Sequence, residues 1–171
     1  MSLQPSFASQ TAVKTQSEGE QIETILILRL SGEAFGLSVS MVHEIMDPIP
    51  VTVVPRASAF APALINVRGA VVPLVDIRTR LRMEPGRKTE SARIVVLDAP
   101  VEDGPIRLAI LADSVDEVIE VRWSDREPIP DLGAPWPEAY LLGVTRHRDE
   151  IIVLLNPETL FRPNLGPTQQ M

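Results

Sequence analysis

The chain contains no cysteine. Disulfide staples, zinc-thiolate centres and thiol nucleophiles are thereby excluded. Its two histidines, His43 and His147, lie far apart in sequence and suggest no histidine-based metal site. Only seven residues are aromatic, too few for a platform that stacks nucleic-acid bases. Positive charge is also scarce. Sixteen Lys and Arg stand against 23 Asp and Glu, a net charge of −7. This balance argues against a basic nucleic-acid face or a polybasic membrane tether. No apolar run approaches the ~20 residues that span a bilayer. The longest, such as Ile25-Leu26-Ile27-Leu28, are strand-sized. The polar N-terminal stretch lacks a charged leader followed by an apolar block, so no secretory signal is read there. The expectation is a soluble cytoplasmic protein. Glycine-rich phosphate loops, dinucleotide fingerprints and nucleophile elbows are missing too. No catalytic residue, metal or cofactor is therefore expected.

What is present is β-branched and proline-rich. Of 171 residues, 32 are Val or Ile and 16 are Pro. Such a chain favours strands and breaks long helices. The length suits one domain with a core of its own. Residues 1–22 and 163–171 are polar and too poor in apolar side chains to order themselves. The folded part is read as 23–162.

Strand-like runs recur through it. Thr24–Leu30 and Phe35–Val39 flank Ser31-Gly32-Glu33 and read as a hairpin. Leu64–Val67 and Ala70–Val75 flank Arg68-Gly69, with Pro73 suggesting an edge strand or bulge. Arg93–Leu97 pairs with Ile106–Leu111, and Tyr140–Thr145 with Glu150–Leu155 around Arg148-Asp149. Ile49–Val54 and Val115–Val121 are further strands. Met41, Val42, Ile45 and Met46 fall at helical spacing behind Ser40, so Ser40–Met46 reads as a short helix ended by Pro48. Asp76 and Asn156 cap two more short helices, Asp76–Leu81 and Pro157–Phe161. Trp123–Pro137, with four prolines, reads as a long loop. The class is all-β with a few short helices, its ten or so strands closing into two small barrels.

Three features bear on function. The carboxylates Asp113, Asp116, Glu117 and Glu120 read as a solvated face rather than an acid–base pair. His43-Glu44-Ile45-Met46-Asp47-Pro48 resembles the phosphoacceptor box of sensor histidine kinases. That box needs a long helical hairpin and a separate ATP domain, which strand-like flanks do not supply. Third, Asn66 and Arg68 sit in an otherwise apolar run, where a charge must be paired or exposed. Glu44 is a candidate partner for Arg68. The pair is either a brace between two elements or a binding surface.

At these residues the sequence resembles the CheW family of bacterial chemosensory adaptors. Leu26–Leu30, Phe35-Gly36-Leu37 and Val42-His43-Glu44-Ile45 match its leading strand, hairpin and V-x-E-I signature. Val51–Pro55 with Phe60 matches the next strand. Ile65-Asn66-Val67-Arg68-Gly69-Ala70-Val71-Val72-Pro73-Leu74-Val75-Asp76-Ile77-Arg78 matches its longest motif. Leu108–Asp113, Val115–Val121, Tyr140–Gly143 and Ile151–Asn156 extend the likeness to about 23–161. The resemblance implies two small five-stranded SH3-like barrels packed together. It implies no catalysis, but bridging of chemoreceptor cytoplasmic tips to the regulatory domain of a CheA-type histidine kinase. By motif position the receptor-binding residues are Val42, Glu44, Asn66 and Arg68; no motif marks the kinase-facing ones. A regulator or scaffold of another two-component pathway is the nearer alternative. Ala63 and Ser114 stand where the family usually has glycine, which raises the expectation of strain if those positions need positive φ.

Overall fold

The computed structural model describes residues 21–131 and 135–163. The polar tails lie almost wholly outside the described residues. Eleven strands form two sheets: β1 (Ile22–Leu30), β2 (Glu33–Ser38), β3 (Val42–Met46), β4 (Thr52–Val53), β5 (Ala63–Val67), β6 (Ala70–Val75), β7 (Arg93–Ala99), β8 (Ile106–Ala112), β9 (Ser114–Arg122), β10 (Leu141–His147) and β11 (Glu150–Leu155). Two single-turn helices, α1 (Ile77–Arg80) and α2 (Pro157–Leu160), start where Asp76 and Asn156 accept from the amides of Arg78 and Glu158. Among the described residues no helix is long and apolar enough to cross a membrane.

Three hairpins turn on two residues that both have positive φ: Ser31-Gly32, Arg68-Gly69 and Arg148-Asp149. Such turns match the right-handed twist of the paired strands, which is why these dipeptides were legible as hairpins. Ala63 and Ser114 are not among the positive-φ residues, so neither carries the strain their positions suggested.

The sheets interleave along the chain. The five-stranded sheet has the order β10-β11-β2-β1-β9, the six-stranded sheet β3-β7-β8-β6-β5-β4. The chain thus starts in the first sheet, builds the second, and returns. Two parallel pairings, β2 with β11 and β6 with β8, join segments distant in sequence.

The continuous apolar runs follow from burial on both strand faces. Leu26, Leu28 and Leu30 of β1 enter a large core between the sheets; Ile25 and Ile27 enter a smaller core inside the first sheet. Val95 and Leu97 of β7 join the same central core, while Ile94 and Val96 face a third core inside the second sheet. Each sheet curls around its own small core. Met46 of β3 packs against the same inner core that Ile65 and Val67 of β5 line, although three strands separate β3 from β5 in the sheet order. The rolled shape is barrel-like, but no ladder between the strands closes either sheet; side chains join the edges, and in the first sheet the chain after β9 adds a backbone bridge from Glu127 to Val144 of β10. Glu117 on β9 meets His147 on β10 at 3.0 Å, and so bridges the two edges of the first sheet.

Four expectations change. Ser40–Met46 is not a helix: a 3-10 turn, Val39–Met41, precedes strand β3. Ser38, rather than Ser40, caps that turn through its hydroxyl. The register shift at His43 interrupts the alternation that would reveal a strand, and pairing with β7 decides for the strand. Within Ile49–Val54 the strand is confined to Thr52–Val53, with one further bond from the Val54 amide to the Pro62 carbonyl, and Pro50 supplies no amide donor. Pro73 lies in an interior strand, yet β8 pairs only with Leu74 and Val75, so on that side it stands beyond the ladder. Finally, the loop after β9 holds a 3-10 turn at Trp123–Asp125 and a bridge from Glu127 to Val144.

Candidate functional site

Edge strand β3 and the β5–β6 turn face each other across the mouth of the second sheet. Arg68 occupies the first turn position with φ 52°. The side chain of Asn66 fixes this turn: its Oδ1 accepts from the Gly69 amide at 2.8 Å. Asn66 therefore acts first as a turn clamp. Asn66→Ala should cost about 1 kcal/mol in thermal or urea unfolding, the net value of one such hydrogen bond.

From this turn the Arg68 guanidinium reaches Glu44 on β3. Nη2 lies 3.0 Å from Oε2, and Nε 3.3 Å from both carboxylate oxygens. The Arg68 side chain remains 81% exposed and that of Glu44 20%. The predicted pair exists and spans the seam of the rolled sheet. An exposed pair of this kind contributes about 0–1 kcal/mol. Holding a non-glycine residue in the left-handed region costs about 1–2 kcal/mol. Stability alone thus gives little reason for an arginine at this turn.

Val42 is half-buried and packs on the central core. The β3–β7 register shifts between Val42 and Glu44. Val42 consequently pairs with Leu97 of the central core, and Glu44 with Val96 of the inner core. The bulge at His43 re-aims the strand, as bulges do. The four candidates share one end of β3 and the turn opposite, but Val42 and Glu44 address opposite faces of the strand.

Sequence reasoning missed the charges beside this seam. His43 Nδ1 lies 3.2 Å from Arg107 Nη2 on β8, and Arg107 Nε lies 2.9 Å from Asp98 Oδ1 on β7. These contacts join residues far apart in sequence, so no motif announces them. His43 is on an exposed strand rather than a helix, which leaves no phosphoacceptor geometry. Of the four carboxylates read as a solvated face, three depart from that description: Asp113 is tied to Arg78 at 2.6 Å, Asp116 to Arg29 at 2.8 Å and Glu117 to His147 at 3.0 Å.

The Arg68 guanidinium holds the Glu44 carboxyl below the usual carboxylate range, with weaker help from His43 and Arg107. A carboxylate with a depressed folded-state pKa stabilises the fold above its unfolded value. That contribution is lost as pH falls through the folded value. In an NMR pH titration Glu44 should titrate below an ordinary glutamate, and Arg68→Ala should raise its midpoint towards the ordinary value.

The geometry matches known proteins along nearly all of its length. A sequence model of the CheW-like domain matches residues 24–164. The chain is 30% identical over 137 residues to the chemotaxis protein CheW of Rhizobium meliloti, covering 80% of this chain and 86% of that protein. It is 29% identical over 150 residues to the probable chemotaxis protein CheW of Rhizobium etli, covering 88% and 93%. The crystal structure of the scaffolding protein TtCheW from Thermoanaerobacter tengcongensis superposes with a TM-score of 0.72 at 25% identity, over 85% of this chain and 92% of that one. Sequence motif, two-sheet architecture and relatives agree: the chain belongs to the CheW family.

Proposed function

We propose that this protein is a non-catalytic chemotaxis adaptor that couples chemoreceptor cytoplasmic tips to the regulatory domain of a CheA-type histidine kinase. It would work in the cytoplasm, recruited to membrane-associated receptor arrays, with the folded unit 23–162 as the adaptor module. The observation that carries the receptor half is the Arg68–Glu44 seam. An arginine sits on a left-handed turn, paired yet four-fifths exposed, at a position where the fold alone gains almost nothing from it.

A receptor tip is a helical hairpin, and a helix is commonly recognised by an apolar groove with charges at its rim. Val42 and its aliphatic neighbours supply the apolar part. Glu44 and Arg68 set charge choice and register. Signalling then follows from population shift, the receptor state altering how the bridge holds the kinase.

The test is affinity capture by the purified protein from detergent-solubilised cells, read by mass spectrometry. Recovery of a chemoreceptor together with a CheA-type kinase is the expected result. A kinase without any receptor would point to a regulator of another two-component pathway. Recovery of neither, from a folded sample, would overturn the adaptor reading.

A further inference from the structure

A second polar site lies at the opposite ends of β5 and β6 from Arg68. There a cavity of about 440 Å³ is walled by Ser58, Phe60, Thr79, Arg80, Arg82 and Tyr140. It spans the junction of the sheets, since α1 follows β6 of the second sheet and Tyr140 immediately precedes β10 of the first.

Arg80 is held in an unusual state. Its guanidinium carbon lies 3.5 Å above the centre of the Phe60 ring, and Nη1 donates to the Leu160 carbonyl. Burial pushes its pKa below the ordinary arginine value. Arg29, Arg68, Arg78 and Arg107 each have a carboxylate partner. Among the described residues Arg80 and Arg82 have none, as is also true of Arg56, Arg87, Lys88, Arg122 and Arg126. A guanidinium carries five donors in a planar fork. Only the bond to Leu160 is made by Arg80 among the described residues. The Phe60 ring fixes the plane of that fork. Arg82, in the left-handed region at φ 56°, brings a second cation to the same cavity.

We propose that this pocket receives the carboxylate of an acidic side chain presented by a partner protein. A half-buried guanidinium held flat on a ring gains most from an anionic, planar, two-oxygen group, which a carboxylate supplies. The cavity is larger than one side chain, with room for an acidic side chain and the peptide that flanks it. The protein as a whole carries −7 and repels anions, so an acidic segment needs such a local site to dock. An acid bound there touches elements of both sheets and fixes their relative position. This inference is independent of the receptor reading.

The experiment is an NMR shift titration of the full chain with an end-blocked hexaglutamate peptide, at about 20 mM ionic strength to limit screening. Inorganic phosphate is a separate arm. Saturable shifts confined to Ser58–Phe60, Thr79–Arg82 and Ala139–Tyr140 are expected. Arg82→Gln, at an exposed position that spares the fold, should weaken binding about tenfold, the scale of one charge-assisted contact. Arg80→Gln should weaken it at least as much, with folding checked by the amide spectrum. Arg122→Gln, another exposed arginine, should leave it unchanged. Shifts spread over all exposed arginines, or an Arg82→Gln protein that binds normally, would overturn the proposal. So would saturation by phosphate with no response to the peptide.

Discussion

Arg78→Ala is expected to destabilise the fold by about 3–5 kcal/mol, the cost of stripping one partner from a buried ion pair. The Arg78 side chain is 6% exposed and its Nη2 lies 2.6 Å from Asp113 Oδ1. The other oxygen of Asp113 accepts from the Ser31 amide at 2.7 Å, and its carbonyl accepts from the Thr89 hydroxyl. The Asp113 carboxylate thus ties α1 to the β1–β2 turn, and its backbone carbonyl adds the segment after α1. The backbone of Gly86 lies flat on the guanidinium: a Cβ there would sit 2.6 Å from its central carbon. Removing Arg78 leaves a partly buried carboxylate without its cation and a void beneath Gly86. Arg78→Lys should recover only part of the loss, because an ammonium cannot reproduce the fork. Urea unfolding measures both. A loss under 1 kcal/mol for the alanine variant would contradict the view that this pair locks the sheet junction.

The second large effect is at Phe35. It is wholly buried in the central core and meets Trp136 edge-on, with ring centres 5.4 Å apart at 76°. Phe35→Ala should cost about 3–5 kcal/mol through lost burial and the cavity left behind. The lost aromatic pair adds about 0.5–1.5 kcal/mol. Trp136 holds part of the long loop before β10 against the core. Its fluorescence should therefore shift to longer wavelength in the variant, as the indole becomes wetter. Unfolding and emission, read in a background where Trp123 is replaced by Phe, distinguish loss of this contact from a general change.

Much of the fold was legible because local chemistry and burial agree. The turn dipeptides Ser31-Gly32, Arg68-Gly69 and Arg148-Asp149 marked three hairpins, and each adopts the positive-φ pair that such turns need. Asp76 and Asn156 capped the helices expected of them. Ser40–Met46 was misread because a bulge at His43 breaks the period-two pattern that reveals a strand. The interleaving of the sheets was not legible at all. The parallel pairings β2–β11 and β6–β8 are made between segments that share no local signal.

The site divides in the same way. Glu44 and Arg68 stood out because charges in apolar runs need partners, and they partner each other. Asn66 was singled out for recognition, but its side chain first holds the turn. The contacts of His43, Asp98 and Arg107, and the tie between Arg78 and Asp113, join strands distant in sequence and became visible only in three dimensions.

The central claim is that Arg68 serves recognition more than folding. The direct test pairs two readings on Arg68→Ala: calorimetric titration with a soluble receptor-tip fragment, and thermal melting of the same protein. The account predicts at least a tenfold loss of affinity, about 1.4 kcal/mol. It predicts a stability change of no more than about 1 kcal/mol, the value of an exposed ion pair, because alanine keeps the same left-handed backbone and its cost. Loss of stability that matches or exceeds the loss of binding would contradict it and leave the pair as a brace across the rolled sheet.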